Sequence, residues 1–246
     1  MSRVSVAALL LAVTACSEPG ADAARHDTVS FIAPAGQAAD AFPAPQRAVA
    51  AIVSPRWATE DERDRAGEAD RVIAALGIGR GMTVADIGAG EGYYEPHLSK
   101  AVGPTGTVIA QDIVPETLAV LARRVDAAKW HNVMVARGQA HDPRLPPRSV
   151  DVALLVHMYH EIDAPFALLW NLRAALKPGG RVAIVDAARP TANHGTPPAL
   201  LTCELAAVGY RQTSTQPLGD GIYLTVFTPA GPLPAPASIA PCATPA

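Results

Sequence analysis

The stretch Thr83-Val84-Ala85-Asp86-Ile87-Gly88-Ala89-Gly90-Glu91-Gly92 is a short apolar strand that runs into three glycines spaced two apart. Glycines at these positions let the backbone adopt angles closed to other residues and leave room for a ligand to approach the chain. A helix is expected to begin near Gly92, with its first N–H groups directed at whatever occupies the turn. The stretch therefore predicts a nucleotide-type site, although tight strand-to-helix turns also use glycine without any ligand.

A second apolar run, Val108-Ile109-Ala110-Gln111-Asp112, ends in an acid 24 positions after Gly88. A carboxylate at the end of the next parallel strand can accept hydrogen bonds from both hydroxyls of a ribose. Together, Asp86-x-Gly88-x-Gly90-x-Gly92 and Asp112 resemble the nucleoside-binding signature of the class I S-adenosylmethionine-dependent methyltransferases. The spacing of the third glycine separates this signature from the Gly-x-Gly-x-x-Gly of NAD-binding domains.

Strands and helices alternate between about residues 58 and 229 in the pattern of an α/β sheet protein. Two extended segments joined by a short loop close this region, so these two strands must be antiparallel. An antiparallel hairpin after parallel strands is a further resemblance to the methyltransferases. We therefore expect a Rossmann-like, doubly wound, mostly parallel seven-stranded sheet with a C-terminal antiparallel hairpin.

The two ends of the chain differ from its middle. The apolar run from Val4 to Val13 is too short to span a bilayer and looks like a signal peptide. It leads into Val13-Thr14-Ala15-Cys16, which resembles the bacterial lipobox with its acylated Cys. By the same resemblance, Ser17 favours the outer over the inner membrane. We predict a signal peptide over residues 1–16, a flexible linker over 17–56, a methyltransferase domain over 57–229 and a Pro-rich tail over 230–246. The expected location is the bacterial cell envelope, either lipid-anchored or periplasmic.

Charge and cysteine content limit the partners. The 246 residues carry a net charge of −3 and no basic stripe, so nothing argues for a nucleic-acid partner. Cys203 and Cys242 form a pair that an oxidising compartment could bridge, and the bridged and free forms are equally open. No Cys-x-x-Cys spacing occurs, and we predict no metal. The expected partner is a small-molecule acceptor, while the oligomeric state is not indicated.

The resemblance assigns cofactor contacts to the residues that follow each strand. Backbone groups of Gly88 and Gly90 would contact the amino-acid part of S-adenosylmethionine. Asp86 would fix the turn or receive the ammonium group, and Asp112 would hold the ribose. The remaining predicted cofactor residues are Glu91, Ile113 beside the adenine, Gln139 in place of the usual acid after strand three, and His157.

An unusual run, His157-Met158-Tyr159-His160-Glu161, follows the fourth strand. Methyl transfer needs an aligned nucleophile and sometimes a base. His160 or Glu161 is the candidate base and Tyr159 the candidate to position the acceptor; a purely structural role in capping the next helix has about equal weight. The run lacks the His-Glu-x-x-His order of zinc peptidases, and His194 is the other metal-ligand candidate that the topology places nearby.

The helix predicted ahead of the first strand begins at the capping sequence Thr59-Glu60-Asp61-Glu62 and ends at Gly77. Its polar side carries Arg63-Asp64-Arg65, which we interpret as a solvated charged face. In methyltransferases, however, a helix at this place commonly covers the cofactor.

Three functions fit these observations. The first, which we predict, is methyl transfer from S-adenosylmethionine to an unidentified small molecule, before export or with cofactor met outside the cytoplasm. The second is an exported binding module for an adenosine-like ligand, and the third is an inactive envelope lipoprotein on the same scaffold. The glycine turn and Asp112 favour the first two, whereas the lipobox favours the last two because the charged cofactor does not cross a bilayer unaided.

Overall fold

A seven-stranded sheet forms the centre of the computed structural model, which describes residues 29–52 and 59–243. The strands are β1 (Thr83–Ile87), β2 (Thr107–Asp112), β3 (Val133–Arg137), β4 (Val150–Val156), β5 (Leu176–Ala187), β6 (Tyr210–Gly219) and β7 (Ile222–Pro229). Their order is β3-β2-β1-β4-β5-β7-β6. The first five strands are parallel, and β7 is antiparallel to both β5 and β6. The predicted fold class is confirmed.

The α-helices of the described ranges are α1 (Glu60–Ala66), α2 (Glu68–Leu76), α3 (Glu95–Val102), α4 (Pro115–Ala128), α5 (Pro165–Ala175) and α6 (Pro198–Ala207). Short 3-10 helices cover Ala39–Ala41, Tyr159–Glu161, Thr191–Asn193 and Pro236–Ser238. The Thr59 side chain accepts a hydrogen bond from the Glu62 amide, as the capping sequence predicts. Gly67, in the left-handed conformation, splits the predicted single helix into α1 and α2. Within the described ranges, every helix is too short or too polar to cross a membrane.

Helices cover both faces of the parallel strands, which explains why these strands are apolar on both sides. Along β4, Ala153 and Leu155 pack in the cluster that contains α5 and α6, whereas Leu154 packs in the cluster that contains α2 and α3. The strand order reverses between β1 and β4, so the crevice for a ligand lies beyond their carboxyl ends. The fold thus places the glycine turn beside the run that begins at His157.

Residues 29–52, which we call the N-terminal strap, pack against the domain, so the prediction of a flexible linker is wrong for this part. The Arg47 guanidinium forms an ion pair with Glu204 at 2.9 Å, and both side chains are fully buried. The Phe42 ring meets the edge of Trp170 at 5.9 Å between centroids, which places Trp170 under the strap. Composition did not reveal the strap because it docks through individual side chains and, apart from the 3-10 helix Ala39–Ala41, forms no helix or strand.

The described part of the Pro-rich tail is also fixed. A disulfide joins Cys242 to Cys203 of α6, and Gln46 of the strap forms a parallel bridge with Ala243. The predicted Pro-rich tail is therefore attached to the domain up to residue 243. The predicted signal peptide and Cys16 lie outside the described residues.

Candidate functional site

The glycine turn has the backbone conformation that its sequence predicts. Gly88, Gly90 and Gly92 have φ of 73°, 60° and 90°, a region that favours glycine. A Cβ placed on Gly88 would lie 3.0 Å from a Met158 side-chain atom, and one on Gly92 would lie 2.5 Å from Leu121. A Cβ on Gly90 would meet nothing within 4 Å. The open space needed by a ligand therefore lies directly over Gly90.

Asp112 ties the end of β2 to the glycine turn. Its Oδ2 accepts a hydrogen bond from the Gly90 amide at 2.9 Å, and its Oδ1 accepts from the amides of Ile113 and Val114. A carboxylate has about four acceptor positions, so one is left for a ribose hydroxyl. The same side chain can fix the turn and contact a nucleoside.

Arg63, interpreted from the sequence as solvated, is instead turned inward. Its guanidinium lies 4.0 Å above the Tyr93 ring and donates to Glu68 at 3.0 Å. The other Glu68 oxygen lies 2.7 Å from Nε2 of His157. Burial raises the pKa of Glu68, but the hydrogen bond and charge of His157, together with Arg63, outweigh burial and lower that pKa to about 2. The predicted cofactor residue His157 thus belongs to a charged cluster built on α1 and α2.

Asp86 and Glu95 form a buried pair of carboxyl groups beneath the turn. Burial raises the pKa of Asp86 to about 7 despite the nearby Arg63 charge. Burial and the Asp86 charge raise the pKa of Glu95 well above its ordinary value. Two buried carboxylates this close repel each other when both are ionised, so the pair holds a proton, and Glu95 is the group that retains it.

Arg63 and Glu95 also carry buried polar atoms without a partner. Nε of Arg63 and both carboxyl oxygens of Glu95 lack a hydrogen-bond partner within the described part of the chain. Leaving buried polar atoms without hydrogen bonds lowers the stability of the folded protein, unless a ligand or water supplies the missing bonds. Both side chains influence the pKa of Asp86, and Glu95 Oε2 lies 3.2 Å from the position that a Cβ on Gly92 would take, so unpaired polar atoms lie close to the turn. This arrangement fits the carboxylate and ammonium groups of the methionine part of S-adenosylmethionine.

Three other predicted cofactor residues have different surroundings. Ile113 is half-buried directly after β2, where it can pack against a ligand. The Gln139 side-chain oxygen accepts a hydrogen bond from Arg144 at 3.4 Å. The backbone N–H of Gln139 donates to the Asp142 carbonyl. Glu91 lies within the glycine turn with its side chain exposed to solvent, and its contact with the cofactor stays a prediction.

His160 faces a carboxylate on the neighbouring strand. Its Nδ1 lies 3.0 and 3.1 Å from the two oxygens of Asp186, near the end of β5. Asp186 is fully buried and also accepts from the Thr196 hydroxyl and the Ala187 amide. This contact places the proton on Nδ1 and leaves Nε2 of His160 as the basic nitrogen.

Tyr159 lies in the core, so its predicted role in positioning the acceptor is wrong. The side chain is completely buried, and its hydroxyl donates to Glu204 at 2.8 Å. Burial raises its pKa well above the ordinary value. The 3-10 helix Tyr159–Glu161 turns this residue inward, away from the crevice.

Glu161 and His194 complete the group around His160. Glu161 Oε1 lies 3.9 Å from Nε2 of His160, and the rings of His160 and His194 are 5.5 Å apart. One ligand atom from each of the three residues lies within 4.8 Å of the others, although the sequence order offered no metal motif. A cavity of about 250 Å³ at the opposite edge of the sheet is lined by none of these residues.

Comparisons with known proteins agree with this geometry. Residues 84–180 match the sequence model of a family described as "Methyltransferase domain". A demethylmenaquinone methyltransferase of Staphylococcus aureus is 30% identical over 121 residues, which cover 49% of this chain and 49% of that protein. The chain therefore spans about half the length of the curated relatives it matches.

Solved structures give the same assignment. A SAM-dependent methyltransferase from Aquifex aeolicus aligns with a TM-score of 0.62 and 26% identity, over 65% of this chain and 88% of that one. A TehB-like SAM-dependent methyltransferase from Corynebacterium glutamicum has the same fold, with a TM-score of 0.54 and 19% identity over 69% and 95% of the two chains. Residues 84–180 thus match a methyltransferase domain, and the fold is that of the class I S-adenosylmethionine-dependent methyltransferases. The predicted family is confirmed, and with it the predicted cofactor.

Sequence reasoning missed Glu68 and Glu95 as site residues, and it misread Arg63. A signal was present, because each acid shares a helical face with apolar residues. Glu68 lies four positions before Val72, and Glu95 lies three before Leu98; all four side chains are buried. An acid on an apolar face indicates a buried polar contact, which the sequence alone cannot pair with its partner.

Proposed function

We propose that this protein transfers a methyl group from S-adenosylmethionine to a small-molecule acceptor in the crevice beyond β1, β4 and β5. The observation that carries the proposal is the open space at Gly90, next to a turn where Arg63 and Glu95 keep buried polar atoms without a partner in the described part of the chain. A free donor and free acceptors match an amino-acid zwitterion, and Asp112 supplies the adjacent ribose contact. Similarity to methyltransferases over the central part of the chain supports the same activity.

The residues around His160 suit the acceptor side of this reaction. When bound, S-adenosylmethionine supplies a methyl group on a positively charged sulfur. The protein must therefore align the acceptor and accept its proton. Nε2 of His160 is the available base, because Asp186 holds Nδ1 and stabilises the protonated ring. The proton of the acceptor passes to Nε2. At the same time the acceptor atom forms a bond to the methyl carbon, and the bond between that carbon and sulfur breaks.

Calorimetric titration of S-adenosylmethionine into the wild type and Asp112→Ala tests the cofactor site. We expect micromolar binding by the wild type and at least tenfold weaker binding by the variant, since a lost charged hydrogen bond costs about 1.5–3 kcal/mol. Circular dichroism controls for folding, because Asp112 also holds the Gly90 amide. An absence of binding by the folded wild type contradicts the proposed function. A panel of acceptors with oxygen, nitrogen, sulfur and carbon nucleophiles, demethylmenaquinone included, then defines the substrate.

We also propose that the protein resides in the bacterial envelope, anchored by a lipid on Cys16. The apolar run Val4 to Val13 before Cys16 supports this location. The disulfide between Cys203 and Cys242 gives independent support, because disulfides persist in oxidising compartments.

Replacement of the anchor cysteine is expected to change where the protein is found. In a bacterial host, we expect the wild type in the detergent phase of a membrane extract and Cys16→Ser in the aqueous phase. Removing the acyl chains removes about 0.8 kcal/mol of membrane affinity for each buried CH₂. Cys242→Ser is the matched control and should stay in the detergent phase. Retention of Cys16→Ser by the membrane contradicts the anchor.

A further inference from the structure

Two histidines and a glutamate meet at the rim of the crevice. His160 and Glu161 end the 3-10 helix after β4, and His194 lies in the loop after β5. One ligand atom from each lies within 4.8 Å of the other two, although 33 residues separate Glu161 from His194 in the chain. The parallel pairing of β4 with β5 brings these segments together.

His160 is held in the orientation that metal-binding histidines show. A ligating imidazole usually gives the N–H of its second nitrogen to a carboxylate, which fixes the tautomer and the ring. Here Nδ1 of His160 lies 3.0 Å from Asp186, and Asp186 is itself fixed by the Thr196 hydroxyl at 2.7 Å and the Ala187 amide at 2.8 Å. The remaining nitrogen, Nε2, lies 3.9 Å from Glu161.

His194 provides a second, independent sign of a missing ligand. Its Nδ1 is buried and has no hydrogen-bond partner among the residues that the structure describes. Leaving such a nitrogen unsatisfied is unfavourable, so a ligand bound there stabilises the folded protein. The residue also has a φ of 56°, in a region that non-glycine residues seldom occupy. The loop therefore holds this imidazole beside His160 without any protein contact that satisfies Nδ1.

The backbone that carries the first two side chains is fixed by the N-terminal strap. The Arg47 guanidinium donates to the carbonyls of Tyr159, His160 and Ile162, and the Ala50 amide donates to the carbonyl of His160. Tetrahedral ligands at 2.0–2.2 Å from a metal lie about 3.4 Å apart. Small side-chain rotations are thus enough to close the group around an ion.

We propose that His160, Glu161 and His194 bind one divalent transition-metal ion, with zinc as the first candidate. Two imidazoles and a carboxylate favour transition metals over magnesium and calcium, which prefer oxygen ligands alone. Three protein ligands leave a position for water or a substrate atom. If the proposed function holds, the ion would bind the nucleophilic oxygen, nitrogen or sulfur of the methyl acceptor at this position and lower the pKa of that atom. With the metal on Nε2, His160 would no longer be the base, and the acceptor proton would pass to water. This use rests on the proposed function, whereas binding of the metal does not.

Titration of Zn²⁺ into the full chain, purified without a histidine tag and stripped with a chelator, tests the site. We expect one equivalent to bind with submicromolar affinity. His194→Ala should weaken binding at least 100-fold and Glu161→Gln at least tenfold. His131→Ala, which removes an exposed histidine, is the matched control and should bind as the wild type does. Equal affinity in all four proteins, or no binding by the wild type, overturns the proposal.

A positioning variant and a spectroscopic measurement separate the metal site from a simple His160–Asp186 acid–base pair. Asp186→Asn should lower zinc affinity about 10–100-fold, because loss of an outer hydrogen bond has this effect on metal sites. Co²⁺ should give visible absorption bands in the wild type that His194→Ala lacks; bands that persist in this variant contradict the site. Titration of S-adenosylmethionine into the same samples keeps the proposals apart. Zinc binding without cofactor binding refutes only the methyltransferase function. Cofactor binding without zinc binding refutes only the metal site.

Discussion

Gly90→Ala is expected to weaken binding of S-adenosylmethionine at least 100-fold while leaving the protein folded. The added methyl group would occupy the open space above Gly90, where the backbone has room for a ligand and a Cβ meets no protein atom within 4 Å. A 100-fold loss corresponds to about 2.7 kcal/mol of binding free energy. Calorimetric titration at pH 7 measures this effect, and thermal denaturation checks the fold.

Gly77→Ala is the matched control for this substitution. Gly77 ends α2 with a φ of 57°, close to the 60° of Gly90, and a Cβ there also meets nothing within 4 Å. Both variants should lose a similar free energy of unfolding, about 1–2 kcal/mol for a left-handed alanine. Only Gly90→Ala should lose cofactor affinity. If both variants bind as the wild type does, the cofactor does not approach the chain at Gly90.

The sheet and the glycine turn were predictable because their signals are local. Apolar runs of strand length, glycines at positive φ and an acid ending the second strand each occupy a few consecutive residues. The mostly parallel sheet and its antiparallel C-terminal strands followed from the resemblance and from the rule that short connections join antiparallel neighbours. Asp112 and Gly90 lie in contact, as the motif implies.

The charged side of the site was much less predictable, because its partners are distant in sequence. Glu68 and His157 are separated by 89 residues, and Arg47 and Glu204 by 157. The pattern of α1 indicated only a polar face, and the direction of Arg63 depends on the position of Tyr93 at the start of another helix. The strap was missed for the same reason, since its contacts are made by single residues with partners far along the chain.

Glu95→Gln is expected to stabilise the protein at neutral pH. Burial and the charge of Asp86 raise the pKa of Glu95 above its unfolded value of 4.5. A raised pKa in the folded state means that the favourable contribution is complete below pH 4.5 and is lost as pH rises. Glutamine needs no bound proton, so the variant should gain up to 1.36 kcal/mol for each pH unit above 4.5. We expect no advantage below pH 4.5 and an advantage that grows as pH rises from 4.5 to 7, measured by urea denaturation across this range.

The gain in stability should accompany a loss of cofactor affinity, because Glu95 offers its oxygens to the ammonium group. Glu204→Gln is the contrasting control: this acid is equally buried but accepts from Arg47 at 2.9 Å and from Tyr159 at 2.8 Å. Its substitution leaves a buried guanidinium without a counter-charge and should destabilise the protein by about 3 kcal/mol at pH 7. The same change of Glu to Gln at two buried sites is thus expected to have opposite effects on the free energy of unfolding. Destabilisation by Glu95→Gln at pH 7 would show that Glu95 is ionised and paired in the folded protein. Its oxygens would then not be available to bind a ligand.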